Sequence, residues 1–243
     1  MIDIKPLASS SAGNCYLIDD GHTKILLEAG IRFREIQIAL DFKLSSLAGC
    51  LVTHDHGDHS KAMKDLVKAG VDVYASQGTF NKLNLTGHRA ITIKALNQFN
   101  IGTWTILPFD VKHDAEEPLG FLIANQVGEK LVFITDSAYS RYTFSGLTHC
   151  MIEINFIEAL VNQAIEQEEN LENREFLMMR RARLRKSHFS LENAVEFFKS
   201  PDNDLSKVQE IHILHLSDGN SDEQLIKTTI QSITGKPVFV AQR

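Results

Sequence analysis

Three imidazoles lie within six residues in Thr53-His54-Asp55-His56-Gly57-Asp58-His59, with the Asp58 carboxylate among them. Neutral imidazole nitrogens and carboxylates are the donors that borderline dications such as Zn²⁺ prefer. So many donors in one short stretch can be divided between two adjacent ions. A solvated loop gains nothing from clustered histidines without an ion, so the stretch reads as a metal-ligand loop. A pair of ions takes about seven protein donors, so others must come from elsewhere. His113 follows a strand-like run, Asp136 ends Leu131-Val132-Phe133-Ile134-Thr135, and His215 ends Ile211-His212-Ile213-Leu214. Two have plain alternatives: a surface or core histidine for His113, a helix cap for Asp136. Strand alternation puts His212 and His215 on opposite faces, and the residue at the strand's end is the better candidate.

These donors need strands to carry them. Leu47-Ala48-Gly49-Cys50-Leu51-Val52 is a short apolar run of the kind that forms a buried strand, and the histidine loop sits at its C-terminal end. Upstream, strands are expected at 2–7, 15–19 and 23–28, with a small polar loop at 9–14 and a type I′ hairpin at Asp20-Gly21. Helices are expected at 32–40, at 59–69 (ended by Gly70), and from a Ser76 cap through 85, with a strand at 71–74. Residues 89–110 are strand-rich, and 119–125 with 130–135 read as a hairpin. A strand at 149–154 precedes one long charged helix at 159–186, which contains no Pro or Gly. A helix at 189–198, a strand at 208–216, a helix at 221–233 and a strand at 238–240 follow. Strands in two halves, each followed by helices, suggest two stacked sheets with helices outside, an α/β (α+β) arrangement.

The 243 residues are 43% hydrophobic and 23% charged, enough for a sizeable core, and the net charge of −6 argues against a generally basic nucleic-acid coat. Cys15, Cys50 and Cys150 are odd in number, far apart and away from the histidine loop. They read as reduced, buried thiols. Neither a signal peptide nor an apolar run of about 18–20 residues is evident, so a cytoplasmic protein with no membrane partner is expected.

His54-x-His56-x-Asp58-His59, followed by His113, Asp136 and His215, resembles the ligand series of the metallo-β-lactamase fold. More narrowly, the chain resembles the YycJ/WalJ group of nucleases, relatives of tRNase Z. That match rests on Ser9-Ser10-Ser11-Ala12-Gly13-Asn14, His113-Asp114-Ala115-Glu116-Glu117-Pro118, Glu153-x-Asn155, His188-Phe189-Ser190 and His215-Leu216-Ser217. The resemblance implies a four-layer αββα sandwich in one domain over 1–243, with a helical, basic insertion at about 156–187. It implies that His54, His56 and His113 hold one ion, that Asp58, His59 and His215 hold the other, and that Asp136 bridges. It also implies that His188 helps the leaving group depart. Glu28 stands where the family usually has Asp, and Ser187, Phe189 and Leu191 depart from the family's pattern around His188.

Two divalent ions, Zn²⁺ by preference and Mn²⁺ as the substitute, can hold a hydroxide and neutralise charge on a phosphoryl group. The expected activity is phosphodiester hydrolysis, as a nuclease of DNA-exonuclease type. The catalytic candidates are Asp58, His188 and Glu153, the last orienting His188. Ser10, Ser11, Asn14, Asn155 and Ser217 are the candidate substrate contacts, although a simple turn at 9–14 serves the sequence equally well. Hydrolysis of a cyclic nucleotide is the alternative, and hydrolysis of a thioester, lactam or lactone a more distant one. Arg174, Arg180, Arg181, Arg183, Arg185 and Lys186 form one basic concentration just before His188. It reads either as a solvated helix balanced by glutamates or as an arm for a polyanion or for a second copy in a homodimer.

Overall fold

Pairing begins at once along the chain. β1 (Asp3–Ser10) and β2 (Gly13–Asp19) are antiparallel, with Ser9 opposite Asn14 and Ser10 opposite Gly13. Only Ser11 and Ala12 turn the chain, so the expected polar loop is mostly strand. Small residues are required there: a Cβ on Gly13 would lie 2.6 Å from the Gly30 carbonyl oxygen. The computed structural model describes residues 1–241. Their contacts divide into two units, Met1–Asp110 with Ala115–Phe133 and Ala241, and Val111–Asp114 with Ile134–Val240.

In the first unit, β3 (Lys24–Leu27) follows β2 through a four-residue loop, which replaces the expected type I′ turn. That turn needs positive φ at both central residues, and only Gly21 (φ 87°) has it. Instead the Asp20 carboxylate accepts from the N–H groups of His22 (2.9 Å) and Thr23 (2.8 Å) and from the Thr103 hydroxyl (2.6 Å). Burial pushes this carboxyl up, but those donors outweigh it and hold it below the usual range. Asp20→Ala is expected to cost about 1–3 kcal/mol, since several donors lose one charged acceptor. Because the folded pKa is lowered, this margin is present above about pH 4 and disappears as the pH falls through the folded value. Unfolding curves of both proteins, read from the fully buried Trp104, should converge in acid.

α1 (Phe33–Ala39), β4 (Leu47–Leu51), α2 (Gly57–Ser60), α3 (Met63–Lys68), β5 (Val73–Ala75), α4 (Gln77–Leu83) and β6 (Ala90–Thr92) continue this unit. The sheet runs β1-β2-β3-β4-β5-β6, antiparallel as far as β3 and parallel beyond. Ile25, Leu26, Leu27, Cys50 and Leu51 are fully buried, as continuous apolar runs in parallel strands require. The single helix expected at 59–69 is two, because the Ala62 N–H is diverted to the Ala29 carbonyl (2.8 Å). Met63 and Leu66 then pack with Leu26, Ile36, Val52 and Phe80 in the core beneath the histidine loop. β7 (Phe99–Ile101), β8 (Trp104–Asp110), β9 (Leu119–Ala124) and β10 (Lys130–Ile134) form an antiparallel meander.

The second unit is a parallel run of β11 (His149–Glu153), β12 and β13, joined by helices α5 to α8. Here α5 spans Glu158–Gln167, α6 Leu171–Ser187, α7 Leu191–Lys199, β12 Glu210–Leu214, α8 Glu223–Thr234 and β13 Val238–Val240. The long helix expected at 159–186 is broken at 168–170 without Gly or Pro. Asn170 lies in an extended conformation and its side chain accepts from the Asn173 N–H, starting α6 afresh. Three arginines of α6 pair with acids outside that helix. Arg185 (2.8 Å) and Arg181 (3.6 Å) reach Glu158, and Arg183 approaches Asp114 at 3.8 Å.

No described helix is long and apolar enough to cross a membrane. All three cysteines are free and buried, and burial pushes their thiols up, Cys150 to about 12, so none is a ready nucleophile.

Candidate functional site

In the first unit the end of β3 braces the histidine loop. Glu28 leaves the strand with φ 67° and turns a buried carboxylate onto the Thr53 hydroxyl (2.6 Å) and the Thr53 N–H (3.3 Å). The hydroxyl, having given its proton to Glu28, accepts from His54 Nδ1 at 2.9 Å, which leaves the lone pair of that ring on Nε2. His59 Nδ1 lies 3.5 Å from the same carboxylate. Burial pushes the Glu28 carboxyl up, although His59 and Thr53 oppose the shift. The rings of His54 and His56 are 4.7 Å apart and those of His54 and His59 4.2 Å, while Asp58 Oδ2 lies 3.3 Å from His59 Nε2.

Backbone contacts fix the other side of this loop. The Ala29 N–H donates to the His59 carbonyl (2.8 Å) and the Gly30 N–H to the Asn14 carbonyl (2.9 Å). A Cβ on Gly30 would stand 1.6 Å from the Asp58 carbonyl oxygen, so only glycine lets the two backbones meet. Gly30→Ala is therefore expected to move Asp58 and His59, lowering metal affinity about 10–100-fold and stability by at least about 1–3 kcal/mol. Metal titration beside an unfolding curve measures both, and unchanged affinity would show that the loop does not depend on this contact.

In the second unit, His113 Nδ1 donates to the Ser187 carbonyl (2.9 Å), so Nε2 carries the lone pair and stands 3.7 Å from Asp136 Oδ2. Asp136 (φ 44°) and His215 (φ 52°) are held together, with Asp136 Oδ1 2.6 Å from His215 Nδ1. Glu153, fully buried at the end of β11, lies 2.8 Å from His188 Nδ1 and 3.1 Å from His215 Nδ1 through Oε1. Its Oε2 accepts from the N–H groups of Ser137 (3.4 Å) and Phe189 (3.3 Å). Donor atoms of Asp136, Glu153, His188 and His215 all lie within 4.8 Å of one another.

Burial disfavours charge on His215, but Asp136 and Glu153 override it and push the imidazole up to about 10. For His188, burial is likewise outweighed by Glu153 and Asp136, and its pKa rises. Burial and the Asp136 charge push Glu153 up, yet His188 and His215 leave its carboxyl below the usual range. This is an acidic pocket loaded with imidazoles, chemistry that suits a borderline dication.

The candidate substrate contacts are placed differently from one another. Asn14 is fully buried, its amide nitrogen 3.1 Å from the Ser10 carbonyl, 3.4 Å from the Asp58 carbonyl and 3.2 Å from His59 Nε2. The Ser10 hydroxyl accepts from the Ala12 N–H and Ser11 is exposed at the turn. Asn155 donates to the His215 carbonyl (2.9 Å), and Ser217 accepts from the Asn220 amide (2.9 Å). His212 stays out of the cluster, bonded to Glu210 at 3.0 Å and stacked on Phe239.

Thr53, Gly30 and the Ser187 carbonyl are supporting groups that motif reading missed. For Gly30 the Ala-Gly pair directly after a buried strand was the available signal. A backbone carbonyl such as that of Ser187 leaves none.

Residues 23–213 match the model of the "Beta-lactamase superfamily domain". Among characterised relatives, exodeoxyribonuclease YycJ of Bacillus anthracis is 29% identical over 150 residues, covering 58% of this chain and 56% of that protein. Exodeoxyribonuclease WalJ of Streptococcus pneumoniae is 26% identical over 152 residues, with the same coverage of 58% and 56%. The matched stretch thus spans little more than half the length of these relatives. Among solved structures, the metallo-beta-lactamase fold protein YhfI from Bacillus subtilis has a TM-score of 0.72 at 14% identity, covering 100% of this chain and 97% of that one. Human tRNase Z, short form, has a TM-score of 0.62 at 14% identity, covering 100% and 96%. These likenesses show the fold.

Proposed function

The chain belongs to the beta-lactamase superfamily, and from that premise we propose that it is a metal-dependent phosphodiester hydrolase acting on nucleic acid, of exodeoxyribonuclease type. The observation that carries this reading is the imidazole of His188 held by the buried Glu153 at 2.8 Å, beside the Asp136–His215 pair. An alkoxide leaving a phosphodiester needs a proton, and a positioned imidazole whose charged form is favoured supplies one. The names of the YycJ and WalJ relatives favour DNA as the substrate.

His54, His56, Asp58 and His59 offer four donors in one unit, and His113, Asp136 and His215 offer three in the other. Divalent ions held by them, Zn²⁺ by preference or Mn²⁺, would lower the pKa of water and offset the charge of a phosphoryl oxygen. The chain's own groups then divide the remaining work. Glu28 and Thr53 fix the His54 ring, the Ser187 carbonyl fixes His113, and Glu153 positions His188 for proton delivery.

The test is a substrate panel. Protein supplied with Zn²⁺ or Mn²⁺ is offered labelled DNA, RNA, a cyclic nucleotide and a thioester. Release of nucleotides from DNA, falling steeply with added salt, is the expected result. Turnover of the thioester alone would overturn the proposal.

A further inference from the structure

The second unit contains a recess of about 310 Å³ lined by Tyr139, Tyr142, Phe189, Asn193 and Glu196 among others. That is the lower end of the size range for small-molecule pockets, room for one ring system and not for a folded partner. Its walls are tied to the proton-donor pair. Phe189 follows His188 directly, and Glu153, which holds His188 through Oε1, takes the N–H groups of Phe189 and Ser137 through Oε2. Two residues beyond Ser137 comes Tyr139, and the loop between is fastened to α7 by the Asn193 amide donating to the Ala138 carbonyl at 2.7 Å. Tyr139 is 52% exposed, which leaves ring surface open to a ligand.

The lining carries no lysine or arginine, and its charged member is the exposed carboxylate of Glu196. That lining offers a phosphate no cationic partner. A neutral flat ring would stack on tyrosine, and an exocyclic amino group would give Glu196 a donor.

Resting on the phosphodiesterase reading above, we propose that this recess holds a nucleobase of the strand being cut, stacked on Tyr139, and that it favours bases with an exocyclic amino group. The recess thus gives a metal-carrying hydrolase a means of selecting polynucleotides by their bases, a property the donor cluster cannot provide.

Binding can be read without turnover. Chelator-treated, metal-free protein is titrated at fixed salt with fluorescent single-stranded pentamers of dC, dA, dT or an abasic residue, and anisotropy is followed. Parent protein should bind dC and dA pentamers more tightly than dT, and abasic strands most weakly. Tyr139→Ala should weaken dC binding about 5- to 150-fold, to the abasic level, while Tyr139→Phe retains it. Glu196→Gln should lose the preference over dT. If Tyr139→Ala binds every strand as the parent does while the parent still cleaves DNA, the recess assignment falls and the proposed activity stands. If the parent neither binds nor cleaves DNA, both fall.

Discussion

Protein carrying Asp136→Ala is expected to retain fewer divalent ions per chain than its parent and to show no detectable hydrolysis. The Asp136 carboxylate has His215 Nδ1 at 2.6 Å, the Thr135 hydroxyl at 3.0 Å and His113 Nε2 at 3.7 Å. Removing it leaves the buried His215 without its nearest anion and takes away the carboxylate that both imidazoles approach. Asp136→Asn keeps the shape and removes the charge, so it separates loss of metal from loss of fold. His88→Ala, at an exposed residue outside the cluster, should match the parent in metal content and turnover. Full metal content and normal turnover in Asp136→Ala would show that Asp136 is no ligand.

The second large effect falls on the chemistry and spares the metal. His188→Ala should lower kcat by about 10²–10⁴-fold, the usual worth of a positioned general acid, with metal content unchanged. The loss should shrink on a phosphodiester whose leaving group is a nitrophenolate, since such a group departs without a proton. Glu153→Gln should share that dependence on the leaving group at smaller size, because Glu153 acts through His188, which it holds at 2.8 Å. Equal losses on both substrates would make His188 a structural residue, and unchanged turnover in Glu153→Gln would remove the positioning role.

The sequence displayed the donor types because metal chemistry restricts them. His54, His56, Asp58 and His59 stand together in the chain, and Asp136, Glu153 and His215 lie at or within two residues of the end of an apolar strand. Strand positions followed apolar periodicity closely from β3 to β11. The errors fell where a single hydrogen bond decides the outcome. The Asp20 side chain replaces a primed turn, the Ala29 carbonyl splits a helix at Ala62, and Asn170 restarts one. Such bonds join atoms whose proximity is set by the whole fold, so a local pattern does not contain them. Gly30 belongs with these: its need for glycine comes from the Asp58 backbone, distant in sequence and adjacent in space.

Glu28, Asp136 and His215 all place a side chain beyond a strand with φ between 44° and 67°. A non-glycine residue held there costs about 1–3 kcal/mol of strain, least for aspartate. Laboratory evolution that rewarded thermal resistance alone would therefore drift toward glycine at these three positions. Its survivors would be sturdier proteins that had lost Asp136 and His215, two of the proposed metal donors, and Glu28, which braces a third. Improvement of this scaffold must hold these three codons constant and seek its gains elsewhere.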